Sequence, residues 1–234
     1  MEYQITEKDK RDTYVVLPAY NEATRIQPVI EAIAEKGYNM VIVNDGSSDN
    51  TLEVIMESKR KYPDNIHVFS LLINRGVGIA TQTGFDAVLR YNPKYIVSMD
   101  SDGQHSADDL DAVIEPLVTG RAQAVIGVRP LKDMPFTRNF ANSIMNFLTR
   151  IFYRVDVSDS QTGFRAVTLD ALNEISINAT GYLISSEFIR EINDNDIPFE
   201  EVPIETIYTP ETQAKGTNVT VAIKILLQMI RHQF

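Results

Sequence analysis

The chain has 234 residues, of which 44% are hydrophobic, and a formal net charge of −10. That length suits one substantial α/β domain, and that hydrophobic content excludes a disordered chain. The absence of cysteine excludes disulfides and thiolate chemistry, and the acidic balance argues against sequence-independent binding of nucleic acid.

Met1 to Asp12 is polar and charged, unlike a secretory signal. No uninterrupted apolar run approaches the ~18 residues of a membrane span. Val15–Ala19, Met40–Asn44, His67–Leu72, Tyr95–Met99 and Ala124–Val128 are short β-branched runs that predict buried strands. Helical periodicity over Thr24–Lys36, Asp49–Lys61 and Gly78–Arg90 separates the first four. A further helix over Ser106–Thr119 follows the fourth, opened by a capping-box-like Ser106 and Asp109. Alternation of this kind predicts an α/β fold with a mainly parallel sheet flanked by helices. Ligands in such sheets bind at the carboxyl ends of strands, where the polar motifs of this chain fall.

The second half is less regular. Phe136–Tyr153 predicts a helix, Asp156–Phe164 a polar loop, Ser185–Asn195 a helix and Glu201–Tyr208 a strand. Asn218–Phe234 predicts an amphipathic helix. Between residues 121 and 154 the chain carries Arg121, Arg129, Lys132, Arg138, Arg150 and Arg154 against one acid, Asp133. A basic segment in an acidic protein points to an anionic partner, set against the plainer reading of a solvated helix face. The expected division is one domain over 1–234, with a regular half over about 13–120 and a less regular part over about 121–234.

The motif Asp100-Ser-Asp102-Gly-Gln104-His ends the fourth apolar run. In extended backbone, positions i and i+2 share a face, so the two carboxylates would converge and repel unless a cation lies between them. Hard oxygen ligands suit Mg²⁺ or Mn²⁺; a solvated acidic turn is the alternative. Pro18-Ala-Tyr-Asn-Glu22 ends the first strand and offers a ring face and hydrogen-bonding groups, although a turn with a helix cap explains it equally. Asp45-Gly-Ser-Ser-Asp-Asn-Thr51 ends the second, and Asp45 at the strand tip could accept an N–H from a nucleobase. Asn74-Arg-Gly-Val-Gly78 opens a helix whose N–H groups could approach a diphosphate. It is neither a Walker A loop nor a full dinucleotide fingerprint.

In order and spacing these motifs resemble glycosyltransferase family 2, with its GT-A nucleotide-sugar-binding fold. The Asp-x-Asp-Gly-Gln-His form resembles the polyprenyl-phosphate branch typified by dolichyl-phosphate mannose synthase. The likeness continues through Gly127-Val-Arg129, Arg138, Asn142 and Asp159-Ser-Gln-Thr-Gly-Phe-Arg165, and covers residues 13 to about 210. It implies a transferase that is inverting and metal-dependent, with a nucleotide-binding half over about 13–120 and an acceptor-binding, interfacial part over about 121–234. Such an enzyme moves sugar from a UDP- or GDP-linked donor to dolichyl or polyprenyl phosphate, for protein glycosylation or cell-surface glycans. By the same resemblance Pro18, Ala19, Tyr20, Glu22, Asp45, Gly76, Asp100 and Ser101 would hold the nucleotide sugar. Asp100, Asp102 and Gln104 would hold Mg²⁺ or Mn²⁺. Arg129, Arg138 and Asn142 would receive the acceptor phosphate, and Arg165 would stabilise the loop or the phosphates. Asp159 is either a base or an orienting partner for Arg165.

An anionic lipid phosphate needs positioning more than deprotonation, and guanidinium groups meet that need. The apolar residues Phe136, Phe140, Ile144, Met145, Phe147, Leu148, Ile151 and Phe152 could form an interfacial face. The same holds for Ile223 to Ile230; core packing is the alternative for both. The expected place is therefore cytoplasmic and peripheral, at the cytoplasmic face of the membrane, with homo-oligomerisation left open. Val77 departs from the family's usual lysine, and tryptophan is absent, which counts against a cellulose- or chitin-like polymerase. Rival readings are a family 2 enzyme with a glycan or other hydroxyl acceptor and a non-catalytic nucleotide-sugar-binding module. An Asp-x-Asp phosphatase fits Gln104-His105 poorly.

Overall fold

The structure, a computed structural model, describes residues 3–130, 136–177 and 183–207, with backbone alone at 136–138 and 183. The predicted helix over Asn218–Phe234 lies outside the described residues. In chain order the elements are α1 (Glu7–Arg11), β1 (Thr13–Ala19), α2 (Ile26–Glu35), β2 (Asn39–Asn44), α3 (Thr51–Lys61), β3 (Ile66–Ser70), α4 (Val77–Val88) and β4 (Tyr95–Ser98). There follow α5 (Leu110–Val118), β5 (Ala124–Val128), α6 (Phe136–Tyr153), β6 (Arg165–Thr168), α7 (Leu169–Glu174), α8 (Leu183–Asp194) and β7 (Phe199–Pro203).

The seven strands form one sheet in the order β3-β2-β1-β4-β6-β5-β7. β1 to β4 are parallel neighbours, β5 pairs parallel with β7, and only β6 runs antiparallel, between β4 and β5. β6 is absent from the sequence reading. It is four residues long, opens on Arg165 and follows a polar loop, so no alternating window marks it. Its position fixes the site nonetheless, because Arg165 pairs directly with Ser98 at the tip of β4.

The continuous apolar runs of the central strands are explained by burial on both faces. Val15, Leu17, Met40, Ile42, Val97 and Met99 join one core with residues of α2 and α5. Val16, Val41, Val43 and Ile96 join another with residues of α4, α7 and α8. On α2 the buried positions are Ile26, Val29, Ile30, Ile33 and Ala34, a stripe at helical spacing. Fully burying each of the isoleucines contributes about 1.5–3 kcal/mol.

Several local expectations change. Pro18 does not end β1 but pairs with Val43 inside it. The missing N–H breaks no bond on the β4 side, since the last β1–β4 pair is Val16 with Ser98. Ser106 Oγ accepts the Asp108 N–H at 3.1 Å, but Asp109 does not complete a capping box; its carboxylate accepts the Glu205 N–H at 2.8 Å. A capping box does form earlier, between Thr6 and Asp9 at the start of α1, a helix the sequence reading passed over. The last predicted strand ends at Pro203, after which Thr206 makes an isolated bridge to His105.

Candidate active site

The carboxyl ends of the strands open into one pocket of about 680 Å³. Pro18, Ala19, Tyr20, Glu22, Asp45, Gly76, Asp100, Ser101, Asp102, Gln104, Arg129, Asn142 and Arg165 all line it. Thus nearly every residue named from sequence converges, with two exceptions. The Arg138 side chain lies outside the described residues, and Asp159 lies behind the pocket wall rather than on it.

The nucleotide end is built from the tips of β1 and β2. Tyr20 presents an exposed ring, 43% accessible. Glu22 is buried and forms an ion pair with Arg25. Asp45 is 2% exposed and accepts the backbone N–H groups of Arg75 at 2.7 Å and Gly76 at 2.8 Å. It therefore pins the loop before α4, a use that the sequence reading of a base-binding carboxylate did not include. Gly46 follows at φ +63°, and a Cβ there would lie 2.7 Å from Ile73 Cα, so the turn requires glycine.

Asp100 and Asp102 both line the pocket from a bend beyond β4, which ends at Ser98, and Gly103 follows at φ +78°. Asp102 accepts the Gln104 N–H at 3.0 Å and is in contact with the Gln104 side-chain amide. Asp100 Oδ2 lies 3.3 Å from His105 Nε2. His105 is buried, with its ring edge against Phe164 at 5.3 Å. The Asp100 side chain is 44% accessible, and that surface faces the pocket. Burial raises its pKa, but the hydrogen bond and charge of His105, followed by the guanidinium groups of Arg129 and Arg165, outweigh burial. The net shift is downward, so Asp100 stays ionised. Its contribution to stability is present above the unfolded carboxylate pKa and is lost as pH falls through the lowered folded value.

Gly163 explains how Asp100 is seated. A Cβ at Gly163 would lie 2.7 Å from Asp100 Cγ, and the Gly163 carbonyl accepts the Ser98 hydroxyl at 2.9 Å. Gly163→Ala is expected to lower activity by about 10²-fold, since ~1 Å displacements at a reacting centre cost that much. Steady-state kinetics beside a thermal melt checks this: the melt should move far less than the rate.

Arg129 and Asp159 form a two-pronged pair, Nε to Oδ2 at 2.6 Å and Nη2 to Oδ1 at 2.9 Å. Asp159 is fully buried and also accepts N–H groups of Arg129 and Gln161 at 3.3 Å each. Both Asp159 oxygens are thus engaged, its two-pronged contact is with Arg129, and it does not line the pocket. Arg165 donates through Nη2 to the Ser160 carbonyl at 3.1 Å. Burial pushes its pKa down to about 10, against the pull of Asp159 and Asp100. Asn142 is 5% exposed, and both of its amide atoms lack partners among the described residues. Two other basic side chains of this segment have acidic partners: Arg121 pairs with Glu115 at 2.6 Å and with Glu200 at 3.2 Å, and Arg150 lies 3.6 Å from Asp156.

Two hard carboxylates and an amide that share one pocket match the donor set of Mg²⁺ or Mn²⁺, which commonly takes one or two carboxylates plus phosphates and water. Among the described residues no three acids, histidines or cysteines are grouped so as to hold a metal by themselves. The sequence reading missed His105, Gln161, Ile177, Ile184, Ser185, Phe188 and Thr206, all of which line the pocket. Only His105 and Gln161 stood within recognised motifs.

The family profile of Glycosyl transferase family 2 matches residues 14–176. The UDP-N-acetylglucosamine–dolichyl-phosphate N-acetylglucosaminyltransferase of Methanococcus voltae is 34% identical, over 93% of this chain and 94% of its own. The polyprenol monophosphomannose synthase of Mycolicibacterium smegmatis is 28% identical, over 85% of this chain and 78% of its own. The fold matches glucosyl-3-phosphoglycerate synthase of Mycobacterium tuberculosis, solved with Mn²⁺ and UDP-glucose. That match has a TM-score of 0.73 and 19% identity, over 95% of this chain and 80% of that one. The sheet and pocket described above are thus those of the GT-A fold, and the chain belongs to glycosyltransferase family 2, whose members transfer sugars.

Proposed function

We propose that this glycosyltransferase moves a sugar, with inversion, from a UDP- or GDP-linked donor to dolichyl or polyprenyl phosphate. One observation carries the reading. The carboxylates that line the pocket, among the described residues, are Glu22 and Asp45 at the nucleotide end and Asp100 and Asp102 at the metal motif. On this reading all four are committed to the donor and its cation. A phosphate needs no base there, and Arg129, aligned by Asp159, offers it a guanidinium. The names of the Methanococcus and Mycolicibacterium relatives support the same acceptor class.

In this mechanism Tyr20 stacks on the base, while the loop pinned by Asp45 presents its backbone to the diphosphate. Arg129 and Asn142, together with Arg138, hold the acceptor phosphate. A phosphate oxygen attacks the anomeric carbon, and the bond to the diphosphate breaks with its electron pair leaving on the nucleotide. A divalent cation held by Asp100, Asp102 and Gln104 would offset charge on the departing diphosphate. Arg165 adds a fixed positive charge behind Asp100.

Radiolabelled UDP- and GDP-sugars, offered with Mg²⁺ or Mn²⁺ and with or without dolichyl phosphate, test the reading. Label should enter a mild-acid-labile lipid only when the lipid phosphate is present. Label that enters a glycan and never the lipid would favour a hydroxyl acceptor. Binding without transfer or hydrolysis under any acceptor would favour a non-catalytic module.

The reading includes peripheral attachment at the cytoplasmic face of a membrane. Among the described residues, no helix is long and apolar enough to cross one. Phe140, Phe147 and Ile151 form an exposed stripe on α6, each more than half accessible, beside Arg150. Met145 belongs to the opposite, buried face, which corrects its place in the predicted interfacial set. Substituting Phe140 and Phe147 with serine is expected to cut sedimentation with anionic vesicles severalfold, since interfacial binding scales with buried apolar area. Unchanged sedimentation would remove α6 from that role.

A further inference from the structure

The segment that carries Asp159 is braced on both sides by groups that do not line the pocket. Asn146 on α6 donates through Nδ2 to the Ser158 carbonyl at 2.7 Å and accepts the Ser160 N–H through Oδ1 at 2.9 Å. These contacts fall on the residues immediately before and after Asp159. Glu201 on β7 accepts the Ser158 N–H at 2.5 Å and the Ser158 hydroxyl at 2.7 Å.

The chemistry at position 146 is demanding. One contact needs a donor and the other an acceptor, and a side-chain amide supplies both. A carboxylate of the same shape would accept from Ser160 but offer no donor to the Ser158 carbonyl. An alanine would remove both bonds.

Two short steps lead from Asn146 to the pocket. Asp159, held between the two contacts, is fully buried and meets Arg129 through both carboxylate oxygens. Asn142 lies about one helical turn before Asn146 on α6, on the same side of the helix, and lines the pocket together with Arg129. β5 ends at Val128, next to Arg129, and pairs in register with β7, where Glu201 lies opposite Ile126. Arg129 and Asn142 thus come from separate elements, and Asn146 joins the helix of one to the ion-pair partner of the other.

We propose that Asn146 is a positioning residue for the acceptor phosphate. It holds Asp159 against α6 and so fixes the spacing between the Arg129 guanidinium and Asn142, while Glu201 steadies the same segment from the sheet. This role rests on the lipid-phosphate reading above.

Proton–nitrogen correlation spectra of the intact chain read the Arg129 Nε–H directly, and its signal is identified by its loss in Arg129→Met. Asn146→Ala and Asn146→Asp should both shift that signal and speed its exchange with water. Both should lower kcat/KM for dolichyl phosphate about tenfold, chiefly through KM, a fraction of the ~10²-fold that a 1 Å misplacement costs. Affinity for the UDP- or GDP-sugar that the parent transfers should be unchanged. Aspartate keeps the side-chain volume, so a loss shared by both variants comes from the missing donor and not from a packing gap. In an Arg129→Ala background, Asn146→Ala should cost little further, because the group it positions is absent. An unshifted Arg129 signal, a parallel loss of donor affinity, or losses that add across Arg129 and Asn146 would each overturn the proposal. A thermal melt reports whether each variant folds, and if alanine does not, the aspartate variant decides by the same measures. The spectra need no substrate. A chain whose Arg129 signal answers to Asn146 yet never labels dolichyl phosphate sinks the acceptor reading alone. A parent chain that labels the lipid, with KM indifferent to Asn146, sinks this inference alone.

Discussion

Arg129→Ala is expected to lower transfer to lipid phosphate by on the order of 10²–10³-fold while sparing nucleotide-sugar binding. The acceptor phosphate loses its aligned guanidinium, whereas the nucleotide end of the pocket is untouched. The same variant should also lose about 3–5 kcal/mol of stability, because removing one member of a buried ion pair strands the other. Asp159 is fully buried and the Arg129 side chain is 17% exposed, so solvent cannot rescue the orphaned carboxylate. Adding a second change, Asp159→Asn, separates the two effects. Asparagine removes the charge and keeps an oxygen for the Gln161 N–H, so Arg129→Met with Asp159→Asn should recover most of the stability and none of the transfer. Chemical denaturation, donor binding and lipid labelling on the three proteins decide it. Full transfer by Arg129→Ala would remove the acceptor assignment.

Asp102→Ala should reduce transfer by a comparable 10²–10³-fold, through loss of charge stabilisation at the diphosphate. Here the donor side is affected: Mg²⁺-dependent nucleotide-sugar binding should fall with the rate. Chelation of the parent protein should reproduce the loss, and the variant should respond little to chelator. Stability should change little, because Asp102 lies at the pocket surface and its partners are its own neighbours in the bend. Titration calorimetry with and without chelator reads this directly. Donor affinity indifferent to both chelator and Asp102 would leave the cation without a role.

The two predictions differ in how far the sequence could reach. Asp100, Asp102 and Gln104 lie within five residues of one another, so their convergence was readable although its geometry was not. Extended backbone was expected to align the two acids, but β4 ends at Ser98 and both lie in the bend beyond it. Asp45 was placed correctly at a strand tip, yet its partners, Arg75 and Gly76, are 30 and 31 residues away and carry no marker for that contact. Asp159 was expected as a base or as an orienting partner of Arg165; in the fold its direct ion pair is with Arg129, while its charge also acts on Arg165.

What this chain's sequence determined alone is the alternation of strand and helix, the parallel core of the sheet and the placement of its polar motifs at strand ends. Those follow from hydrophobic periodicity and chain order, which are local properties of neighbouring residues. Only the tertiary structure decided that β6 enters antiparallel beside β4, that Asp159 pairs with Arg129, and that Phe188 lies under the Arg165 guanidinium. Each of these depends on which distant segments share a face of the sheet, and burial makes that choice collectively rather than residue by residue.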